Sequence, residues 1–209
     1  MPRVGMEPIR RAALVKATIA EIGAAGSLDV TVAGIARRAG VSPALAHHYF
    51  GTKDDILEAA MRTLLTEYRD AVRHALRGQS DPRVRLTAIV RASFAAPNFT
   101  AEAISAWLNF YVLAQSDTAA ARLLAIYQRR LVSNLAHCLR PSLGTGAVQA
   151  SEALASLIDG IYLRRALQAP CEIDPATSVL AFAECLCAQD AQPNFQNSGE
   201  GNDTAERPT

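Results

Sequence analysis

The sequence predicts an all-α protein of about nine helices, with a short basic unit at the amino terminus followed by a larger helical one. Apolar residues recur at helical spacing, glycine, proline and capping residues punctuate the chain at helix-length intervals, and no segment shows convincing strand alternation. The 209 residues, half of them hydrophobic, suffice for a sizeable core.

Leu14, Val15, Ile19 and Ile22 form one face of a first helix, with Pro8 near its start and Gly26 placed to stop it. Thr31 is suited to cap a short second helix whose inward stripe is Val32, Ile35, Ala36 and Ala39, and Gly40 then supplies a tight turn. Ser42 caps a third, in which Pro43 takes the first helical position and Gly51 follows the last residue, Phe50. Thr52 caps a long fourth helix with Asp54 and Asp55 at its positive end and the stripe Ile56, Leu57, Ala60, Met61, Leu64, Leu65 and Tyr68. Breaks at Gly78 to Pro82, Pro97-Asn98, Ser116-Asp117, Pro141 to Gly146 and Pro170 to Pro175 divide the remainder into about five more. Residues 1–53 are expected to form one domain and 54–188 a second, with 189–209, polar and punctuated by Pro193, Gly199, Gly201 and Pro208, a disordered tail.

The net charge of +1 conceals an asymmetry. Residues 1–53 carry Arg3, Arg10, Arg11, Lys16, Arg37, Arg38 and Lys53 against Glu7, Glu21 and Asp29. Such clustering suits phosphate binding, although a solvated helix face has the same composition. No apolar run approaches the roughly 20 residues that span a bilayer, and no charged leader opens the chain, so a soluble cytoplasmic protein with no membrane partner is expected. Cys138, Cys171, Cys185 and Cys187 form no CxxC pair and no zinc-ligand spacing with histidine; they read as reduced thiols, and neither metal nor cofactor is expected.

The run TVAGIARRAGVSPALAHHYF, Thr31 to Phe50, meets the needs of a helix-turn-helix, in which one short helix braces a second in the major groove. An ordinary helical hairpin is the alternative. In the larger unit Trp107, Phe110 and Tyr111 stand at i, i+3 and i+4. Such a trio is either core or an aromatic cage that attracts a quaternary ammonium by cation-π interaction. Asp159 and Tyr162, three apart, are candidates for a balancing carboxylate and another ring; a capped or interface aspartate is the plainer reading. Phe94, Phe99 and Tyr127 are further candidates for a pocket wall.

With IARRAGVS, the aromatic-rich HHYF and Lys53 downstream of a basic first helix, the chain resembles the TetR family of transcriptional repressors. MPRVGMEPIRRAAL, AWLNFY, RRLVSNL and LIDGIYLRRAL are similar to its BetI branch, the choline-responsive repressors of glycine betaine synthesis genes, so the likeness covers most of residues 1–188. It departs from that branch at Pro43-Ala44-Leu45-Ala46-His47, where a glycine and paired aliphatics followed by serine are usual, and at Tyr111, where tryptophan is common.

The resemblance implies a TetR-like fold, a homodimer, double-stranded pseudo-palindromic operator DNA as partner, and a small inducer, choline, with another lipophilic or cationic ligand as the alternative. It implies DNA contacts from Thr31, Ser42, Pro43, Ala44, Leu45, His47, His48, Tyr49 and Lys53. The hydroxyl, imidazole and ammonium groups among them suit phosphate oxygens, His48 suits a polar base contact, and Pro43, Ala44 and Leu45 offer only apolar contact to thymine methyls. Phe50 reads as core. Arg10, Arg11 and Arg3 are candidate backbone contacts or plain solvated charges. For the ligand it favours Trp107, Phe110, Tyr111, Asp159 and Tyr162. The last two helices, about Gln149 to Leu167 and Pro175 to Cys187, carry Leu154, Leu157, Ile158, Ile161, Val179, Leu180, Phe182 and Leu186, either for a four-helix dimer interface or to close the monomer core. An enzyme is not expected, since no nucleophile-base pair, metal cluster or phosphate loop is recognisable. A non-specific architectural DNA binder is a further alternative.

Overall fold

The computed structural model describes residues 5–96, 98–168 and 173–190, and these contain nine α-helices, one short 3-10 turn and no strand. The expected all-α class holds, and the local causes are the expected ones at the start of the chain. Helix α1 (Met6–Ala25) is followed by α2 (Val32–Arg38), where Thr31 Oγ1 accepts from the Gly34 N–H at 3.0 Å. Gly40, at φ +69°, adopts the left-handed turn that a side chain would resist and reverses the chain into α3 (Pro43–Phe50). There Ser42 Oγ accepts from the Leu45 N–H at 3.2 Å. Helix α4 (Lys53–Ala75) opens with a capping box: Thr52 Oγ1 accepts from the Asp55 N–H at 3.2 Å, and Asp55 Oδ2 accepts from the Thr52 N–H at 2.9 Å.

Helices α5 (Pro82–Ser93), α6 (Ala101–Leu113), α7 (Thr118–Leu143), α8 (Ala147–Ala166) and α9 (Pro175–Asp190) follow. The break expected from Pro141 falls later. Pro141 removes one backbone donor, but Leu139 and Leu143 are both buried on the inner face of the last turn and hold it helical until Gly144, at φ +51°. Gln189 and Asp190, expected in the tail, belong instead to α9; residues 191–209, like Arg3 and Cys171, lie outside the described residues. Cys138 is a buried free thiol, Cys185 an exposed one and Cys187 a half-buried one.

The core is continuous from end to end. Leu14 and Ile22 of α1, Ile35 and Ala36 of α2, Ala46 of α3 and Ile56, Ala60 and Met61 of α4 are fully buried together. Of the stripe predicted for α4, Leu65 is only half-buried and Val72 joins the buried set. Helix α1 packs on α2, α4 and α6, while α7 packs on α5 and α8. Thus α6 touches the amino-terminal trio directly through α1. None of the helices among the described residues is long and apolar enough to cross a membrane.

Candidate DNA-binding helix and ligand site

Helix α3 divides into two faces. Ala46 is buried and Tyr49 and Phe50 pack against the core, while Pro43, Ala44, His47 and His48 are exposed and Leu45 is half-buried. The outward face therefore begins apolar and becomes imidazole-rich. His47 Nδ1 lies 2.8 Å from the Gly51 carbonyl. A carbonyl only accepts, so Nδ1 carries the proton and Nε2 is the ring nitrogen left over. Thr31 and Ser42 are exposed and use their oxygens as cap acceptors, which leaves each hydroxyl proton available to a phosphate. Lys53 is half-buried at the start of α4.

Two basic residues that the sequence offers to DNA are engaged elsewhere. Arg11 Nη1 donates to the Tyr49 carbonyl, and its guanidinium lies 4.5 Å over the Phe50 ring. It is therefore a brace from α1 to the end of α3. Its replacement by methionine, which keeps the apolar stem but removes the charge-assisted bond, is expected to cost about 2 kcal/mol in urea denaturation. Arg38 is tied to Glu21 at 2.5 Å. Arg10 and Arg37 remain exposed with no ion pair among the described residues.

In the larger unit the predicted aromatic trio separates. Positions i+3 and i+4 flank position i on opposite sides and diverge by about 100° around the helix. Phe110 is 1% and Trp107 4% exposed, both in the core, while Tyr111 is half-buried. Trp107 and Tyr111 stay together, with ring centroids 6.4 Å apart, and Tyr127 of α7 meets Trp107 at 4.9 Å. Tyr68 of α4 completes the row, edge-on to Tyr127 at 5.3 Å. Asp159 of α8 accepts a hydrogen bond from the Tyr111 hydroxyl at 3.0 Å. No cation pairs with it among the described residues. Burial raises its carboxyl above the usual range, and the Tyr111 hydrogen bond offsets only part of that. The Trp107 indole N–H is buried with no acceptor among the described residues. A carboxylate without a cation partner among the described residues and an unused donor, beside a row of four rings, have the chemistry that suits a small organic cation carrying an acceptor.

Tyr162 feels the charge of Asp159 but makes its hydrogen bonds away from this row, the candidate ligand box. Its hydroxyl donates to the Ser93 carbonyl, also lies 3.4 Å from the Asn98 carbonyl, and its ring meets Phe94 and Phe99 at 6.0 and 5.0 Å. It ties α8 to the end of α5. Tyr68 was legible only as an apolar stripe member, yet its hydroxyl lies 3.2 Å from Ser93 Oγ. Because Ser93 donates to the Ile89 carbonyl at 3.1 Å, Tyr68 is the donor in that pair.

Burial pushes the Tyr68 phenol up to about 12, and raises Tyr111, Tyr127 and Tyr162 as well. Each folded value exceeds the unfolded value near 10, so the stability these phenols contribute is intact below pH 10 and is lost as pH rises through the folded values. We expect phenolate absorbance from these four residues to appear only with cooperative loss of helical circular dichroism above pH 10. Their titration with helix intact would refute it.

The box is joined to the amino-terminal trio through α6. Ser105 Oγ of α6 donates to the Ile22 carbonyl of α1 at 3.4 Å, and a Cβ placed on Gly23 would meet Glu102 Cα at 2.6 Å. Glycine alone allows this approach of the two backbones.

Residues 14–60 match the model of the tetR family of bacterial regulatory proteins, and residues 82–187 match that of the C-terminal domain of BetI-type transcriptional repressors. The chain belongs to the TetR family. Among its TetR-family relatives, the HTH-type transcriptional regulator BetI of Brucella suis is 46% identical over 94% of this chain and all of its own length. The Rhizobium meliloti protein of the same name is 48% identical over 86% of this chain and 89% of its own. Among solved structures, a transcriptional regulator from Rhodococcus sp. Rha1 superposes with TM-score 0.76 at 21% identity, covering 88% of this chain and 99% of that one. A transcriptional regulator from Saccharomonospora viridis, in complex with choline, superposes with TM-score 0.73 at 22% identity, covering 86% and 96%. As a TetR-family protein with a BetI-type C-terminal domain, the chain is a DNA-binding transcriptional repressor and not an enzyme.

The apolar residues of the last two helices also divide. Leu154, Ile158 and Val179 are buried within the chain, which is the core reading; Leu157, Ile161, Leu180 and Leu186 are half-buried, and Phe182 is 39% exposed.

Proposed function

We propose that the chain is a choline-responsive repressor, and that Asp159 is the observation that carries this reading. The carboxylate is half-buried, has no cation partner among the described residues, and accepts from Tyr111, whose ring stands in one row with Trp107, Tyr127 and Tyr68. A trimethylammonium would neutralise it and lie against the ring faces, and choline's hydroxyl oxygen would accept from the Trp107 indole. The BetI relatives, and the choline complex of a protein with the same fold, support that choice of cation.

In this reading residues 1–53 form the DNA-binding domain and 54–188 the ligand-binding and dimerisation domain. Two chains associate through α8 and α9, whose half-buried leucines and exposed Phe182 gain burial there. The dimer presents two α3 helices to a pseudo-palindromic operator. Thr31, Ser42, His47, Tyr49 and Lys53 hold phosphates, His48 adds a polar base contact, and Pro43, Ala44 and Leu45 meet thymine methyls. The protein works in the cytoplasm, beside its DNA.

Choline then favours a conformer with badly spaced α3 helices, so ligand and operator oppose each other through linked equilibria. The physical route is short. Helix α6 carries Trp107 and Tyr111, lies against α1 at Gly23, and α1 holds α3 through Arg11. A gel-shift titration on the DNA upstream of the chain's own coding sequence, with and without choline at fixed salt, tests the reading. The expected result is specific retention that choline abolishes. Equal affinity for a scrambled duplex would overturn the repressor mechanism, and an unchanged shift at millimolar choline would overturn the inducer.

A further inference from the structure

We propose that the groove between α4 and α7 is a second ligand site, one that takes an amphipathic organic anion. The groove encloses a cavity of about 400 Å³. Leu65, Val72, Leu76, Leu123 and Ile126 give it apolar walls, and Arg62, Arg69, Arg73 and Arg130 line it as well. Arg62 is paired with Glu58 at 2.5 Å and Arg69 with Asp70 at 3.0 Å. Arg73 and Arg130 have no ion pair among the described residues. The cavity lining contains no carboxylate at all. It therefore carries an excess of guanidinium over an aliphatic floor.

That chemistry is the reverse of the box around Asp159. A small cation gains nothing from such a lining and is repelled by it, whereas a carboxylate or phosphate ester meets the two guanidinium forks that make no ion pair among the described residues, and its chain covers the leucines. The volume accommodates a chain of about eight carbons. The two sites are neighbours, because Tyr68 and Tyr127 line the groove and Tyr127 also stacks on Trp107 at 4.9 Å. This site does not depend on the choline reading; it rests on the groove alone.

Trp107 is the chain's single tryptophan, so its fluorescence reports on Tyr127 from both sides. Octanoate, 1-octanol and inorganic phosphate should be titrated separately into the full chain, with calorimetry as a second readout, and octanoate again in saturating choline. We expect saturable octanoate binding, at least tenfold tighter than that of 1-octanol or phosphate and not displaced by choline. The double variant Arg73→Gln/Arg130→Gln, both sites being exposed, should retain operator binding and lose octanoate affinity at least tenfold. No octanoate binding, equal binding of 1-octanol, or an unaffected double variant would overturn the proposal. Phosphate binding as tightly as octanoate would reduce the groove to a simple anion site, and displacement by choline would show that the two ligands share the box; either result also overturns it. Choline binding measured alone decides the inducer reading independently.

Discussion

Replacing Asp159 by asparagine is expected to weaken choline binding about 10- to 100-fold, or about 1.4–2.8 kcal/mol, while leaving ligand-free operator affinity unchanged. Asparagine keeps an acceptor for the Tyr111 hydroxyl and nearly the same volume, so the change isolates charge. The same substitution is expected to raise the melting temperature. The Asp159 carboxyl is shifted upward mainly by burial, so its contribution to stability is favourable below the unfolded value and is lost as pH rises through the folded one. In its ionised form the group thus opposes folding, and asparagine relieves that cost. A purely structural aspartate would give the opposite result, with lower stability and no selective loss of choline binding. Calorimetry with choline, thermal denaturation and a gel shift on one preparation separate the two. Lower stability together with intact choline affinity would remove Asp159 from the site.

Most of the fold was legible in the sequence because its signals are local. Thr31, Ser42 and Thr52 cap helices within three residues of themselves, and Gly40 needs a left-handed turn whatever surrounds it. The amphipathic stripes of α1, α2 and α4 likewise name their own buried face. What escaped depends on partners distant in the chain. The aromatic trio of α6 looked like a unit, yet Phe110 turns into the core while Trp107 and Tyr111 meet Tyr127 and Asp159, contributed by α7 and α8. Tyr162 is apolar in its pattern and structural in its bonding, since the carbonyls that receive its hydroxyl lie more than sixty residues away. Arg11 reads as a DNA-backbone contact or a solvated charge until α3 is seen to end beneath it. No local signal singles out the arginines of α4 and α7, and only the packing of the two helices lines one cavity with them.

Gly23→Ala is expected to destabilise the protein by about 1–2 kcal/mol and to weaken operator binding in the absence of choline. Alanine in a solvent-facing helical position gains roughly 1 kcal/mol over glycine, so the sign depends on what the added methyl meets. Here it meets backbone: an ideal Cβ would lie 2.6 Å from both Cα and Cβ of Glu102. Overpacking of this kind costs typically about 1–3 kcal/mol and outweighs the propensity gain. A flexible side chain would swing away, but Glu102 Cα moves only if α6 and α1 part. That parting displaces α1, and with it α3 through the Arg11 bridge, relative to the helix that carries Trp107 and Tyr111. Because the three atoms nearest the added Cβ all belong to Glu102 and not to a box residue, choline affinity measured by calorimetry should stay within about twofold of the parent, a difference of roughly 0.4 kcal/mol. Lower operator affinity with preserved choline affinity would locate the coupling in the α1–α6 contact. Unchanged operator affinity despite the lost stability would mean that α6 yields without moving the DNA-binding helix, and that the two sites communicate along α4 instead.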